Sequence, residues 1–133
     1  MVTGLNHLTL AVSDLQKSFA FYVDVLGFTP EARWDNGAYL SAGGFWICLS
    51  LEPASPASDY THFAFSINES EFDAAVARIA EAGATCWKTN SSEGDSYYFL
   101  DPDGHKLEFH IGSLATRMKS VELNPYSGWE KLS

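Results

Sequence analysis

The chain repeats itself, and that duplication limits its folds more than any single motif does. The strand-like run Leu5-Asn6-His7-Leu8-Thr9-Leu10 has a counterpart in Tyr60-Thr61-His62-Phe63-Ala64-Phe65. The two histidines are 55 residues apart (62 − 7), and the helix-ending glycines Gly27 and Gly83 are 56 apart (83 − 27). Matching offsets at both points indicate a duplicated module. A small unit of this size leaves one sheet face bare, so it needs a second unit from its own or another chain.

Each half reads β-α-β-β-β. In the first, a strand from Leu5 to Val12 leads to Ser13-Asp14, which offers a helix cap. Phe19, Phe21, Tyr22, Val25 and Leu26 then give an amphipathic helix that ends at Gly27. Strands follow at 28–34, 38–41 and 45–51, with turns at Asp35-Asn36-Gly37 and Gly43-Gly44. After a Pro- and Ser-rich loop at 53–59 the plan restarts: a strand at 61–67, then a helix capped by Asn68 or Ser70 that carries Phe72, Val76, Ile79 and Ala80 and stops at Gly83. Strands at 85–88, 96–100 and 106–111 complete it, the last two joined by the turn Asp101-Pro102-Asp103-Gly104. The expected organisation is one α+β domain over 1–133, with module one at about 4–52, module two at about 59–112, and a C-terminal tail from 113 that opens with a helix at 114–121.

With 133 residues, 46% hydrophobic, the chain is long enough for a substantial core. Its net charge of −9, from 8 basic and 17 acidic residues, argues against nucleic-acid and anionic-membrane partners. Cys48 and Cys86 form no Cys-x-x-Cys pair, and the N-terminus carries no secretory pattern. The expectation is a soluble cytoplasmic protein with reduced thiols.

His7 and His62 are joined as candidate ligands by Glu108, a carboxylate in the apolar run Lys106-Leu107-Glu108-Phe109-His110. A buried carboxylate is unfavourable unless paired or metal-bound. Two imidazoles and one carboxylate make an open metal site suited to Mn2+, Fe2+ or Zn2+, with positions left for substrate. His110 shares the Glu108 face by the strand period of two; it reads as a supporting or core histidine, since a fourth protein ligand would crowd substrate. His105, at the hairpin tip, reads as exposed.

Lys88 and Arg117 stand out because basic residues are scarce. Arg117 reads as a surface charge unless it faces the metal, where it would clamp phosphonate-like oxygens. The segment from Lys88 to Ser96 gathers hydroxyls, an amide and carboxylates around Gly94. By composition it is a solvated loop, although it could also wrap a monovalent cation. Thr9 shares a strand face with His7.

These residues carry a resemblance. The paired βαβββ modules are similar to the vicinal-oxygen-chelate superfamily, and within it to the FosA-type fosfomycin glutathione transferases along nearly the whole chain. The matching segments include residues 4–12, Ala32-Arg33-Trp34-Asp35, Gly37-Ala38-Tyr39-Leu40, Asp59-Tyr60-Thr61-His62, Ser92-Glu93-Gly94, the run 98–108 and Pro125-Tyr126. The resemblance implies a module-swapped homodimer in which Mn2+ is held by His7 of one subunit and by His62 and Glu108 of the other. It implies that Thr9, Lys88, Ser92, Tyr98 and Arg117 surround the phosphonate of fosfomycin, and that Asn90, Ser92, Glu93, Gly94 and Ser96 bind K+. Trp34, Tyr39 and Ser50 would lie toward glutathione, and Trp46 is grouped with this substrate set. The family commonly has Arg or Lys where Ser91 stands, near the thiol, so the departure bears on glutathione affinity.

The implied reaction is addition of the glutathione thiol to the epoxide, assisted by Thr9, Lys88 and Arg117. The cysteines are not nucleophiles in it. The alternatives are hydrolytic epoxide opening, Fe2+-dependent extradiol cleavage, and drug binding without turnover. A catechol substrate does not call for Lys88, Arg117 and the serine-rich loop together.

Overall fold

The computed structural model describes residues 1–132. The first strand, β1 (His7–Val12), turns Leu10 and Val12 into the core and leaves His7 and Thr9 on the opposite, exposed face. Asp14 caps α1 (Leu15–Ala20) by accepting a hydrogen bond from the Lys17 amide at 3.0 Å. The helix then widens into a π-type turn at Phe21–Val25, a feature that apolar spacing does not signal. Strands β2 (Thr29–Trp34), β3 (Gly37–Ala42) and β4 (Phe45–Leu51) complete a four-stranded sheet of order β1-β4-β3-β2, in which β1 and β4 are parallel. The outer strand β2 carries an irregularity between Pro30 and Ala32, as expected for proline at a sheet edge.

The second half repeats the topology. Strand β5 (Phe63–Ser66) is followed by α2 (Phe72–Glu81), β6 (Cys86–Lys88), β7 (Ser96–Leu100) and β8 (Lys106–His110), in sheet order β5-β8-β7-β6 with β5 and β8 parallel. The predicted cap of the second helix differs. Asn68 begins a short 3-10 turn at Glu69–Glu71 that contains Ser70, and its side chain makes no capping bond. The C-terminal α3 (Leu114–Leu123) extends two residues past its expected end; Ser113 and Thr116 form its reciprocal capping box.

The helix-side faces of both sheets meet in one core. Phe28 packs edge-on to Phe45 and Phe65 at 6.2 and 5.4 Å, and Phe21 reaches Phe99 at 6.3 Å. Polar bonds cross the same seam. The fully buried Tyr22 hydroxyl donates to Asp101 Oδ2 at 2.7 Å, and Asp103 accepts from the Ser13 amide at 3.1 Å. His105, expected to be exposed, is half-buried, and its Nε2 donates to the Ala11 carbonyl at 2.7 Å. The β7–β8 hairpin is therefore clasped to the end of β1, and the sheet faces carrying the histidines point away from the core.

Candidate metal centre

Glu108 lies on β8, flanked by β5 and β7, with Ala64 on one side and Tyr98 on the other in register. That central place buries it to 6% exposure. Its Oε2 accepts from Ser96 Oγ at 2.7 Å, and its Oε1 lies 3.1 Å from His62 Nε2. His62 precedes β5 in a segment set by a local turn, in which Asp59 Oδ1 accepts from the Thr61 amide at 2.9 Å. That bond holds the Asp59 carboxyl below its ordinary range. The turn brings the Tyr60 carbonyl to 2.8 Å from His62 Nδ1.

This last contact decides what His62 can do. Nδ1–H donates to the carbonyl, so the neutral ring presents a lone pair at Nε2. In that tautomer the Nε2 lone pair and a Glu108 carboxylate oxygen converge at 3.1 Å. Two such donors side by side in a mostly buried place fit a shared cation. His7 is prepared in the same way. Its Nδ1 lies 2.6 Å from Asn6 Oδ1, and its ring stacks on Trp46 at 4.1 Å; with the proton on Nδ1, the lone pair is at Nε2.

His7, however, is not beside the other two. Among the described residues, no three His, Cys, Asp or Glu side chains come together as a metal-ligand group. The candidate ligands fall into two sets, one on each sheet. On the first sheet, the β1–β4 and β3–β4 registers put His7 opposite Trp46, Thr9 opposite Cys48, and Tyr39 opposite Cys48. Trp34, Tyr39 and Trp46 form an edge-on aromatic series at 4.7 and 5.1 Å, and Ser50 lies on the same face, its Oγ donating to Glu52. Partial burial raises the Cys48 thiol, an effect moderated by its bond with Thr9.

On the second sheet, Lys88 belongs with His62, Tyr98 and Glu108. Its ammonium lies 5.0 Å over the Tyr98 ring and 4.5 Å over that of Tyr60, and it donates to the Tyr60 hydroxyl. That bond is the main cause of a raised lysine pKa. Tyr60 was not among the residues singled out from the sequence. The available signal was its position two residues before His62 in an extended run. Trp87 completes a collar, edge-on to His62 at 5.4 Å and to Tyr98 at 5.2 Å.

The Lys88–Ser96 segment is not a plain solvated loop. Asn90 Nδ2 donates to the Gly94 carbonyl at 2.9 Å, while Asn90 Oδ1 accepts from the Ser92 amide and hydroxyl. Glu93 receives Arg117 Nε at 3.1 Å, so Arg117 is paired rather than a free surface charge. Burial raises the Glu93 carboxyl, but the bonds from Arg117 and Thr116 outweigh it and leave the group below its ordinary range. A cavity of about 330 Å³ lined by Ala64, Ser66, His110, Ser113 and Arg117 opens on this face.

Among the described residues, no helix is long and apolar enough to cross a membrane. Residues 4–109 match the model of the Glyoxalase/Bleomycin resistance protein/Dioxygenase superfamily. The chain is 54% identical over 133 residues to Glutathione transferase FosA of Serratia marcescens, covering 96% of this chain and 94% of that one. It is 42% identical to Metallothiol transferase FosB of Shouchella clausii, covering 92% and 89%. Among solved structures, it is similar to a variant of the fosfomycin resistance protein FosX of Listeria monocytogenes, complexed with Mn(II) and 1S,2S-dihydroxypropylphosphonic acid. The TM-score is 0.80 and the identity 31%, over 90% of this chain and 99% of that one.

Proposed function

The chain belongs to the glyoxalase/bleomycin resistance protein/dioxygenase superfamily, and on that premise we propose that it inactivates fosfomycin by adding the glutathione thiol to its epoxide. The observation that carries the reading is the convergence of His62 Nε2 and Glu108 Oε1 beside the Lys88 ammonium. It joins a cation-binding pair to an anion-binding group on one sheet face. A phosphonate bearing an epoxide needs both.

His62 and Glu108 would hold a divalent ion, Mn2+ by analogy with the FosX complex, and His7 of the partner subunit would complete the set. When bound, the ion supplies Lewis acidity toward the oxygen released as the epoxide opens. The remaining work falls to the protein's side chains. Lys88, Tyr98, Ser92 and Arg117 fix the phosphonate oxygens, so that the carbon next to phosphorus faces the thiol. Thr9 of the partner subunit offers a hydroxyl to the leaving oxygen. Tyr60 and Trp87 wall the lysine and exclude water from one side. On the sheet that supplies His7, Trp34 of the partner subunit, the partner's Tyr39, the partner's Trp46 and the partner's Ser50 form the face that receives glutathione. The Asn90–Ser96 loop, with Ser92, Glu93, Gly94 and Ser96, is the candidate K+ site.

Phosphorus NMR of fosfomycin with the Mn2+- and K+-loaded enzyme tests this reading. The expected outcome is conversion to a thiol adduct that requires glutathione. A second reading, addition of water, is favoured by the diol phosphonate in the FosX complex. It would appear as turnover in the arm without thiol. Divalent-metal uptake with no turnover in any arm would instead favour drug sequestration.

A further inference from the structure

Both preceding readings leave His110 without a task, although it sits at the centre of a built network. Its place follows from register. Strand β8 puts it on the Glu108 face, and the antiparallel pairing with β7 puts Ser96 opposite it. Ser96 Oγ lies 2.7 Å from His110 Nδ1 and 2.7 Å from Glu108 Oε2. A serine hydroxyl has one proton to give. Glu108 as a carboxylate can only accept, so both contacts are favourable when Ser96 donates to Glu108 and His110 Nδ1–H donates to Ser96. Across the ring, His110 Nε2 is 3.4 Å from Glu93 Oε1, the carboxylate oxygen held by Arg117.

The ring is held by shape as well as by bonds. Gly94 has φ +72° and Gly112 has φ +152°, conformations that favour glycine. A Cβ on Gly112 would come within 2.6 Å of His110 Nε2, and one on Gly94 within 3.2 Å of His110 Cε1 and 2.2 Å of the Ile111 carbonyl. Two glycines thus leave the space that the imidazole occupies. The side chain is 16% exposed.

We infer that His110 is a positioning residue for Glu108: through Ser96 it fixes the carboxylate that would hold the metal. The inference rests on the reading of Glu108 as a metal ligand. Groups that orient a ligating side chain typically contribute about 10- to 100-fold in metal affinity.

The test is Mn2+ binding to the substrate-free protein, measured by electron paramagnetic resonance, with fold and oligomeric state checked for each variant. His110→Phe fills that space without a hydrogen bond and should weaken Mn2+ by about 10-fold or more. His110→Asn places a donor near the lost Nδ1 and should recover affinity to within about 3-fold of wild type. A packing role alone would rank the two by volume and favour Phe. If His110→Phe does not fold, Ser96→Ala breaks the same link and should also weaken Mn2+ by about 10-fold. Unchanged Mn2+ affinity in the folded variant, alongside loss of Mn2+ in Glu108→Gln, would overturn the inference and leave the ligand reading standing. Full Mn2+ binding by Glu108→Gln would overturn both.

Discussion

The separation of His7 from His62 and Glu108 leads to a quantitative prediction about subunits. In one chain, His62 Nε2 and Glu108 Oε1 stand 3.1 Å apart on the second sheet, while His7 is stacked on Trp46 on the first. If each metal centre draws His7 from one copy and the other two ligands from its partner, then His7→Ala and Glu108→Gln are each inactive as homodimers. A hybrid dimer carries both lesions in one site and none in the other. Random exchange of equal amounts makes about half of the dimers hybrid, and half of their sites are intact, so roughly one quarter of wild-type activity should return. The assay is the rate of fosfomycin consumption by phosphorus NMR after exchange, with hybrid formation followed by native mass spectrometry of differently tagged chains. Verified hybrids with no recovered activity would refute the shared-site reasoning and require His7 to act outside the metal set.

Other outcomes can be checked independently. Tyr22→Phe removes the donor to the buried Asp101 and should destabilise the fold by about 2 kcal/mol; at fixed protein concentration the Tm should fall by about 6–10 °C. Tyr60→Phe frees the Lys88 ammonium from its hydroxyl partner, so the KM for fosfomycin should change while that for glutathione holds. Glu93 has a lowered carboxyl pKa when folded, so its contribution is complete above the ordinary glutamate range of about 4.3 and is lost as pH falls through the folded value. Hydrogen exchange in the 90–96 loop should accordingly accelerate below that range. Ser91 is exposed within the same loop, and Ser91→Arg should raise kcat/KM for glutathione by roughly several-fold, an effect that shrinks with added salt.

The features legible in the sequence were those encoded locally. The alternation around His7 and His62, the helix stops at Gly27 and Gly83, and the 101–104 turn each depend on a few neighbouring residues. Together they yield two β-α-β-β-β halves, as found. What escaped depends on distant pairing. Periodicity could not relate Tyr98 to Glu108 across the hairpin, yet they are register partners. His105 sits in a turn that looks exposed until the end of β1 arrives beside it. Tyr60 drew no notice because its role depends on Lys88, which lies 28 positions further along the chain (88 − 60). Asn68 fails as a cap because a 3-10 turn intervenes before α2.

Glu108 was conspicuous for the opposite reason: it breaks the local rule. Its chain neighbours Leu107 and Phe109 turn into the core, and the carboxylate itself is buried on the other face. There Ser96 Oγ donates to its Oε2, and His62 Nε2 lies 3.1 Å from its Oε1. A negative charge taken out of water calls for a charge partner as well as hydrogen bonds. A divalent cation would supply that partner and make the buried carboxylate part of a binding site. Local sequence rules that fail at one buried residue while holding along the rest of the strand mark the position where stability has been traded for function.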